Sequence, residues 1–252
     1  MDFKKSAALV SRFEYVAETG STNSDLVAAA LATPADFPNF SVLVAGSQTA
    51  GRGRSNRVWV SAPNKSLAIS VLLRNEALDR GDFGWLPLIA GVAMKRAVRA
   101  CVPASSVVIL KWPNDVQVGG KKISGILSEL LPNGGGVVIG AGINLTLEAA
   151  ELPIEAATSL LLEQGNTNPD EFLATYLAEL QRLLADVPTA KNSVASECGT
   201  IGLGVKAMFP DGTETYGDAV GLDESGRLLI SVPNQSQLLA VSAADIQHLR
   251  HN

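Results

Sequence analysis

Gln48-Thr49-Ala50-Gly51-Arg52-Gly53-Arg54 sets two guanidinium groups among glycines within one short loop. Arginine offers fixed positive charge and planar donors that match carboxylate and phosphate oxygens. Gly51 and Gly53 let the backbone approach a ligand closely and take up positive φ. Taken alone, the loop reads equally well as a solvated basic turn.

A second polar cluster lies further along the chain. Lys111-Trp112-Pro113-Asn114-Asp115 puts an ammonium, an amide and a carboxylate around a proline of fixed φ. Lys121-Lys122 and Ile123-Ser124-Gly125-Ile126-Leu127 follow. One of the two lysines pointing into an anionic site is one reading, and a surface hairpin pair is the other. Position does not choose between them. Together the segments supply cations for two anions, a carboxylate able to hold Mg²⁺, and glycine-lined backbone. No Ser-His-Asp or Cys-His arrangement, no zinc-like ligand spacing and no GxxxxGK[ST] phosphate loop is present, and His248 and His251 fall at the tail. Such a site works by positioning and electrostatics rather than through a covalent intermediate.

These residues need elements to hold them. Ser21-Thr22-Asn23-Ser24-Asp25 precedes an Ala/Leu-rich run, which predicts a helix that ends before Pro34. The first twenty residues read as a short lead-in. Strands are expected at 41–46, 66–73, 107–112, 116–118, 123–131 and 136–145, with Gly119-Gly120 as a hairpin turn. Glycines inside the 136–145 run signal close approach of a ligand or another backbone. A helix is expected over 85–100. Another should start at Asn168-Pro169-Asp170-Glu171 and run to about Ala185, burying Phe172, Tyr176, Leu180 and Leu183. Residues 191–198 read as a linker. From Gly199 the pattern turns to short alternating strands, a small β-barrel.

The 252 residues are 46% hydrophobic, enough for one large core with a small satellite unit. A net charge of −5 argues against a whole-protein basic field for nucleic acid. Two cysteines make no secreted disulfide framework, and no apolar run is long enough for a membrane span, so a cytoplasmic protein with no membrane or nucleic-acid partner is expected.

Taken in order, Ser21-Thr22-Asn23, Gln48–Arg54, Trp59, Lys111–Asp115, Lys122–Leu127 and Gly140-Ala141-Gly142-Ile143-Asn144 resemble the motifs of the biotin–protein ligases, also called biotin–[acetyl-CoA-carboxylase] ligases or holocarboxylase synthetases. The resemblance runs over almost the whole chain, and the five strings together are highly specific. It implies an α/β catalytic domain with a mixed sheet backed by helices, similar to class II synthetases and lipoate ligases, over residues 1–190. It also implies an SH3-like barrel over residues 199–252. Larger members carry an N-terminal DNA-binding domain, and Ser21 comes too early for one, so a ligase without a repressor is expected.

By the resemblance, Ser21, Thr22, Asn23 and Gln48 meet the biotin ureido end. Gly51, Arg52, Gly53 and Arg54 close over biotinyl-5′-AMP, and Trp59 packs near adenine. Lys122 reaches the reacting carboxylate and phosphate, the Lys-Ile-Ser-Gly string favouring it over Lys121. Asn114 and Asp115 serve the nucleotide, with Asp115 toward Mg²⁺, and Gly140, Gly142 and Asn144 line the inner wall. Arg52, Arg54, Lys111 and Lys122 would offset the repulsion between biotin carboxylate and ATP. ATP and Mg²⁺ are the implied cofactors, and the implied acceptor is a lysine on a biotin carboxyl carrier domain. A lipoate ligase on the same fold is the nearest rival, against which the Ser-Thr-Asn and Gly-Ala-Gly-Ile-Asn segments speak. A non-catalytic biotin-binding module would have no use for the lysines and Asp115, and a purely structural protein leaves the basic loop without a purpose.

Overall fold

The computed structural model of the protein describes residues 1–54, 57–74, 79–242 and 244–249. The expectation for His251 therefore lies outside the described residues. A seven-stranded sheet runs in the order β1-β2-β3-β7-β6-β5-β4, formed by β1 (Arg12–Val16), β2 (Ser41–Ala45), β3 (Ser66–Arg74), β4 (Val108–Lys111), β5 (Asp115–Val118), β6 (Lys121–Leu130) and β7 (Gly136–Asn144). Only the β1–β2 pairing is parallel, so the sheet is mixed.

Alternation along the strands gives the sheet two unlike faces. On one face Ile69, Val71, Ile139, Ile143 and Ile126 are buried with α3 (Leu86–Cys101) and α4 (Pro169–Leu184). α4 begins as its sequence implies. The Asn168 side chain accepts from the amides of Asp170 and Glu171, and Phe172, Tyr176, Leu180 and Leu183 face the core. The opposite face carries α2 (Thr22–Ala32), whose Leu26 and Ala30 pack on Leu43, Leu72 and Val138. The rest of that face holds small residues and stays open.

Two stretches differ from expectation. The lead-in folds as α1 (Lys4–Ala7) and the edge strand β1, tied to α4 where the Asp170 carboxylate accepts from the Lys5 and Ser6 amides at 2.9 Å each. The expected linker is helical: α5 spans Val187–Glu197. Asp186 caps it through Thr189, Pro188 sits in its first turn, and Ala190 and Val194 are buried. With only two buried side chains, α5 leaves little apolar periodicity to read.

Beyond α5, the strands β8 (Gly204–Met208), β9 (Glu214–Leu222), β10 (Leu228–Ser231), β11 (Leu239–Val241) and β12 (Asp245–His248) form an antiparallel sheet in the order β11-β10-β9-β8-β12. Its apolar residues join the same core as the large sheet. Trp85 Nε1 donates to the Glu224 carbonyl at 2.7 Å and Trp112 Nε1 to the Gly226 carbonyl at 3.2 Å, which fixes the small sheet beside the Lys111–Asp115 segment. Among the described residues no helix is long and apolar enough to cross a membrane.

Candidate active site

The open face of the large sheet floors a cavity of about 1110 Å³. Gly140 and Gly142 of β7 point onto it, and both must lack a side chain. A Cβ on Gly140 would stand 2.4 Å from Asn23 Oδ1, and one on Gly142 would stand 2.2 Å from Cε2 of Trp59. The close approach expected at these glycines is thus made first by the protein's own Asn23 and Trp59. The Trp59 indole N–H is buried there and has no partner among the described residues.

One end of the cavity is polar and uncharged. Ser21, Thr22 and Asn23 are buried at the start of α2. Ser21 occupies the cap position but its side chain does not cap the helix. Gln48 Oε1 accepts from the Thr22 amide at 2.8 Å and from Thr22 Oγ1 at 3.1 Å. Gln48 therefore keeps its amide N–H groups for another partner. Ser70, which the sequence reading missed, is 2.8 Å from Thr22 Oγ1 and 2.6 Å from Asn23 Oδ1.

The other end is cationic. The register pairs Asp115 with Gly125, Val116 with Ser124 and Gln117 with Lys122, so β6 carries one extra residue opposite β5. That bulge turns Lys122 onto the face of Asp115 and Gly125 while Ile123 stays buried. Lys122 Nζ lies 2.6 Å from Asp115 Oδ1 as an ion pair, and 5.8 Å from the centre of the Trp59 ring. Lys121 is exposed, so Lys122 is the inward lysine. Lys111, at the end of β4, also lines the cavity. Burial pulls its ammonium below the ordinary lysine range, against the opposing pull of Asp115. Asn114 donates to the Ile126 carbonyl at 2.8 Å, which holds the β4–β5 turn against β6. Asn144 donates to the Thr158 carbonyl at 2.9 Å and so anchors the cavity's far wall.

The Gln48–Arg54 loop covers this floor. Gly51 and Gly53 do not take positive φ, contrary to the sequence reading. Gly51 is needed for close approach instead, since a Cβ there would meet the Trp59 carbonyl at 2.3 Å. Arg52 Nη2 is 2.7 Å from Glu129 Oε2 and 2.9 Å from Ser24 Oγ. Arg54 is half-buried among cations and carboxylates, and burial lowers its pKa while Asp245 and Asp115 oppose the shift. Arg57 pairs with Asp245 at the start of β12. The small sheet thus supplies one wall of the cavity through Asp245, Gln247 and His248. His248 Nε2 lies 3.0 Å from Thr200 Oγ1, and burial together with Lys111 holds its pKa below the usual histidine value.

The structure therefore brings every site residue expected from the resemblance, other than Gly51, to the lining of one cavity, with Gly51 inside the covering loop and against the Trp59 carbonyl. Sequence reasoning missed Ser70, Glu129, Arg57, Asp245 and His248. Among the described residues no three His, Cys, Asp or Glu side chains cluster as a metal cage. With Asp245 paired to Arg57, the lysine-flanked Asp115 suits a magnesium ion that is carried mainly by nucleotide phosphates and water.

The model of the Biotin/lipoate A/B protein ligase family matches residues 25–144, and that of the Biotin protein ligase C terminal domain matches residues 200–249. The chain is 36% identical over 248 residues to a biotin–[acetyl-CoA-carboxylase] ligase of Mycobacterium tuberculosis, covering 95% of this chain and 90% of that protein. It is 32% identical over 241 residues to a protein of the same name from Paracoccus denitrificans, covering 89% of this chain and 96% of that protein. A biotin protein ligase from Aquifex aeolicus, solved in complex with biotin and ATP, superposes with a TM-score of 0.77 at 27% identity, over 96% of this chain and 100% of that one.

Proposed function

The chain belongs to the biotin–protein ligase family, and we propose that it joins biotin to a lysine of an acceptor protein at the expense of ATP. The observation that carries this reading is the two-ended cavity, uncharged and hydrogen-bonding at Ser21, Thr22, Asn23 and Gln48, cationic at Lys111, Lys122 and Arg54. A biotin molecule has the matching polarity, with a neutral urea at one end and a carboxylate at the other. Asn23 reaches the β6 carboxylate Glu129, while Lys122 lies near the start of the same strand. At about 3.3 Å per residue the two ends are separated by roughly 20 Å, room for biotin with a nucleotide beyond it.

In the first step a biotin carboxylate oxygen attacks the α-phosphorus of ATP. The bond to the bridging oxygen breaks, pyrophosphate leaves and biotinyl-5′-AMP remains. Two anions must meet, and Lys122, Lys111 and Arg54 lower their repulsion, while Arg52 is held by Glu129 and Ser24 beside Asn23. Preorganised donors of this kind contribute about 3–4 kcal/mol each. Asp115 holds Lys122 in place and would be the carboxylate available to a magnesium ion brought by ATP, which would draw charge off the phosphates. Gln48 gives its free N–H groups to the urea carbonyl. Trp59, over the bare surface of Gly142, gives the adenine or the adjoining chain an apolar wall and a spare N–H donor. Gly140 and Asn144 keep that wall low and anchored.

In the second step the acceptor lysine amine attacks the anhydride carbonyl. Its proton is lost and AMP departs. The Gln48–Arg54 loop excludes water from the anhydride until then. The acceptor is a biotin carboxyl carrier domain, in keeping with the acetyl-CoA carboxylase named for the relatives. We take residues 1–190 as the catalytic unit and 199–252 as a unit that completes the cavity wall. ATP and a carboxylase subunit as substrates fit a cytoplasmic enzyme, and the net charge of −5 offers nothing to nucleic acid.

The test is pyrophosphate release from ATP and Mg²⁺ on addition of biotin, with lipoate as the alternative acid. Release with biotin alone supports the reading. Binding of biotin without pyrophosphate, or release driven equally by lipoate, overturns it.

A further inference from the structure

Glu129 has no part in the two steps above, yet it ties three segments together. It follows Gly125 and Leu127 on the cavity face of β6. Its Oε2 accepts from Asn23 Nδ2 at 2.9 Å and from Arg52 Nη2 at 2.7 Å. Arg52 Nη2 also reaches Ser24 Oγ at 2.9 Å. One carboxylate oxygen thus joins β6, the first turn of α2 and the covering loop. Its carboxylate is only a quarter exposed, where a charged hydrogen bond is screened less than on the surface.

The Leu127 carbonyl, at 3.2 Å, and the Glu129 carboxylate can only accept, and together they make the Asn23 amide present Nδ2 to β6 and Oδ1 to Ser70. Ser70 also contacts Thr22 Oγ1, which in turn donates to Gln48 Oε1. Glu129 therefore helps hold Asn23, and the Ser70 hydroxyl beside it has one proton to share between Asn23 Oδ1 and Thr22 Oγ1.

We infer that Glu129 is a positioning residue that latches the Gln48–Arg54 loop through Arg52 and helps hold the Asn23 amide, so that biotin and then biotinyl-5′-AMP are held until transfer. This rests on the ligase reading. Glu129 lies along β6 from Lys122 and bonds Asn23 and Arg52, so its loss should act on biotin and on retention of the adenylate, not on ATP.

The experiment compares the parent protein with Glu129→Gln, Arg52→Ala and the double variant. It reads KM for biotin, KM for ATP, and the rate at which labelled biotinyl-5′-AMP, formed without acceptor, escapes or hydrolyses. Glu129→Gln keeps the size of the side chain but loses the charge and adds a donor. The expected result is a rise of about tenfold in biotin KM and in adenylate escape, the loss of one charge-assisted hydrogen bond. ATP KM should stay within about twofold, and the double variant should leak no faster than the worse single one. Biotin KM and escape both unchanged in Glu129→Gln would overturn the latch. So would equal losses toward biotin and ATP, the mark of a merely structural role. If Glu129→Gln does not fold, Arg52→Ala decides from the exposed side of the pair, and unchanged adenylate escape there rejects the latch. A parent protein that forms no adenylate at all contradicts the ligase reading itself, a result distinct from an adenylate that forms and leaks.

Discussion

Lys122 Nζ and Asp115 Oδ1 lie 2.6 Å apart because β6 holds one residue more than β5 where the two strands pair. Without that bulge Ile123 would face the cavity and Lys122 would point to the helices. The arrangement makes Lys122 a fixed charge before substrate arrives, the condition under which a cation stabilises a transition state without reorganising.

Replacing Lys122 by Ala should lower the rate of biotin-dependent pyrophosphate release by on the order of a hundredfold or more, given donors worth about 3–4 kcal/mol. Biotin binding measured without ATP should change much less. Rapid-quench measurement of pyrophosphate beside calorimetric binding separates the two effects, and equal losses in both would contradict the role given to Lys122.

Gly142→Ala should displace Trp59, whose Cε2 lies 2.2 Å from the position of the new methyl. Overpacking of this kind costs about 1–3 kcal/mol. The expected outcome is a lower denaturation midpoint together with a raised KM for ATP. Gly140→Ala collides with Asn23 instead and should raise KM for biotin. Interchanged effects would mean that the two ends of the cavity are assigned the wrong way round.

Lys111 gives a prediction in pH. Its pKa is lowered, chiefly by burial. A lowered lysine pKa means that the positive charge is lost earlier as pH rises. kcat/KM for ATP reports the free enzyme, so it should fall on the alkaline side before an ordinary lysine would titrate. Lys111→Arg, whose guanidinium stays charged, should move that limb upward. An alkaline limb identical in the two proteins would exclude Lys111 as its source.

The Arg57–Asp245 pair ties to β12 the residue whose carbonyl accepts from the Gly53 amide of the covering loop at 2.7 Å. Asp245→Ala should free the loop on that side. Limited proteolysis within the loop of the unliganded protein should quicken severalfold while the denaturation midpoint stays nearly constant, as expected of an exposed ion pair worth about 0–1 kcal/mol. Unchanged cleavage would show that the small sheet does not restrain the loop.

Much of this was legible locally. Asn168-Pro169 announces α4, Gly119-Gly120 announces the β5–β6 hairpin, and the motif strings carry the cavity lining. What escaped is non-local. Arg52 meets Glu129 across 77 positions and Arg57 meets Asp245 across 188, with no pattern near any of the four that signals the contact. β1 is short and half-buried throughout, so it lacks the alternation of a one-sided strand. The glycines of the covering loop were read as conformational freedom, whereas Gly51 is required by the carbonyl of Trp59, a neighbour that only the folded chain supplies.

The central claim is tested most directly by transfer of labelled biotin to a biotin carboxyl carrier domain in the presence of ATP and Mg²⁺, with lipoate as competitor. The account predicts label on the carrier lysine that requires ATP, survives excess lipoate and is lost with Lys122→Ala. Biotin that binds but never reaches the carrier, or label that lipoate displaces, would contradict it.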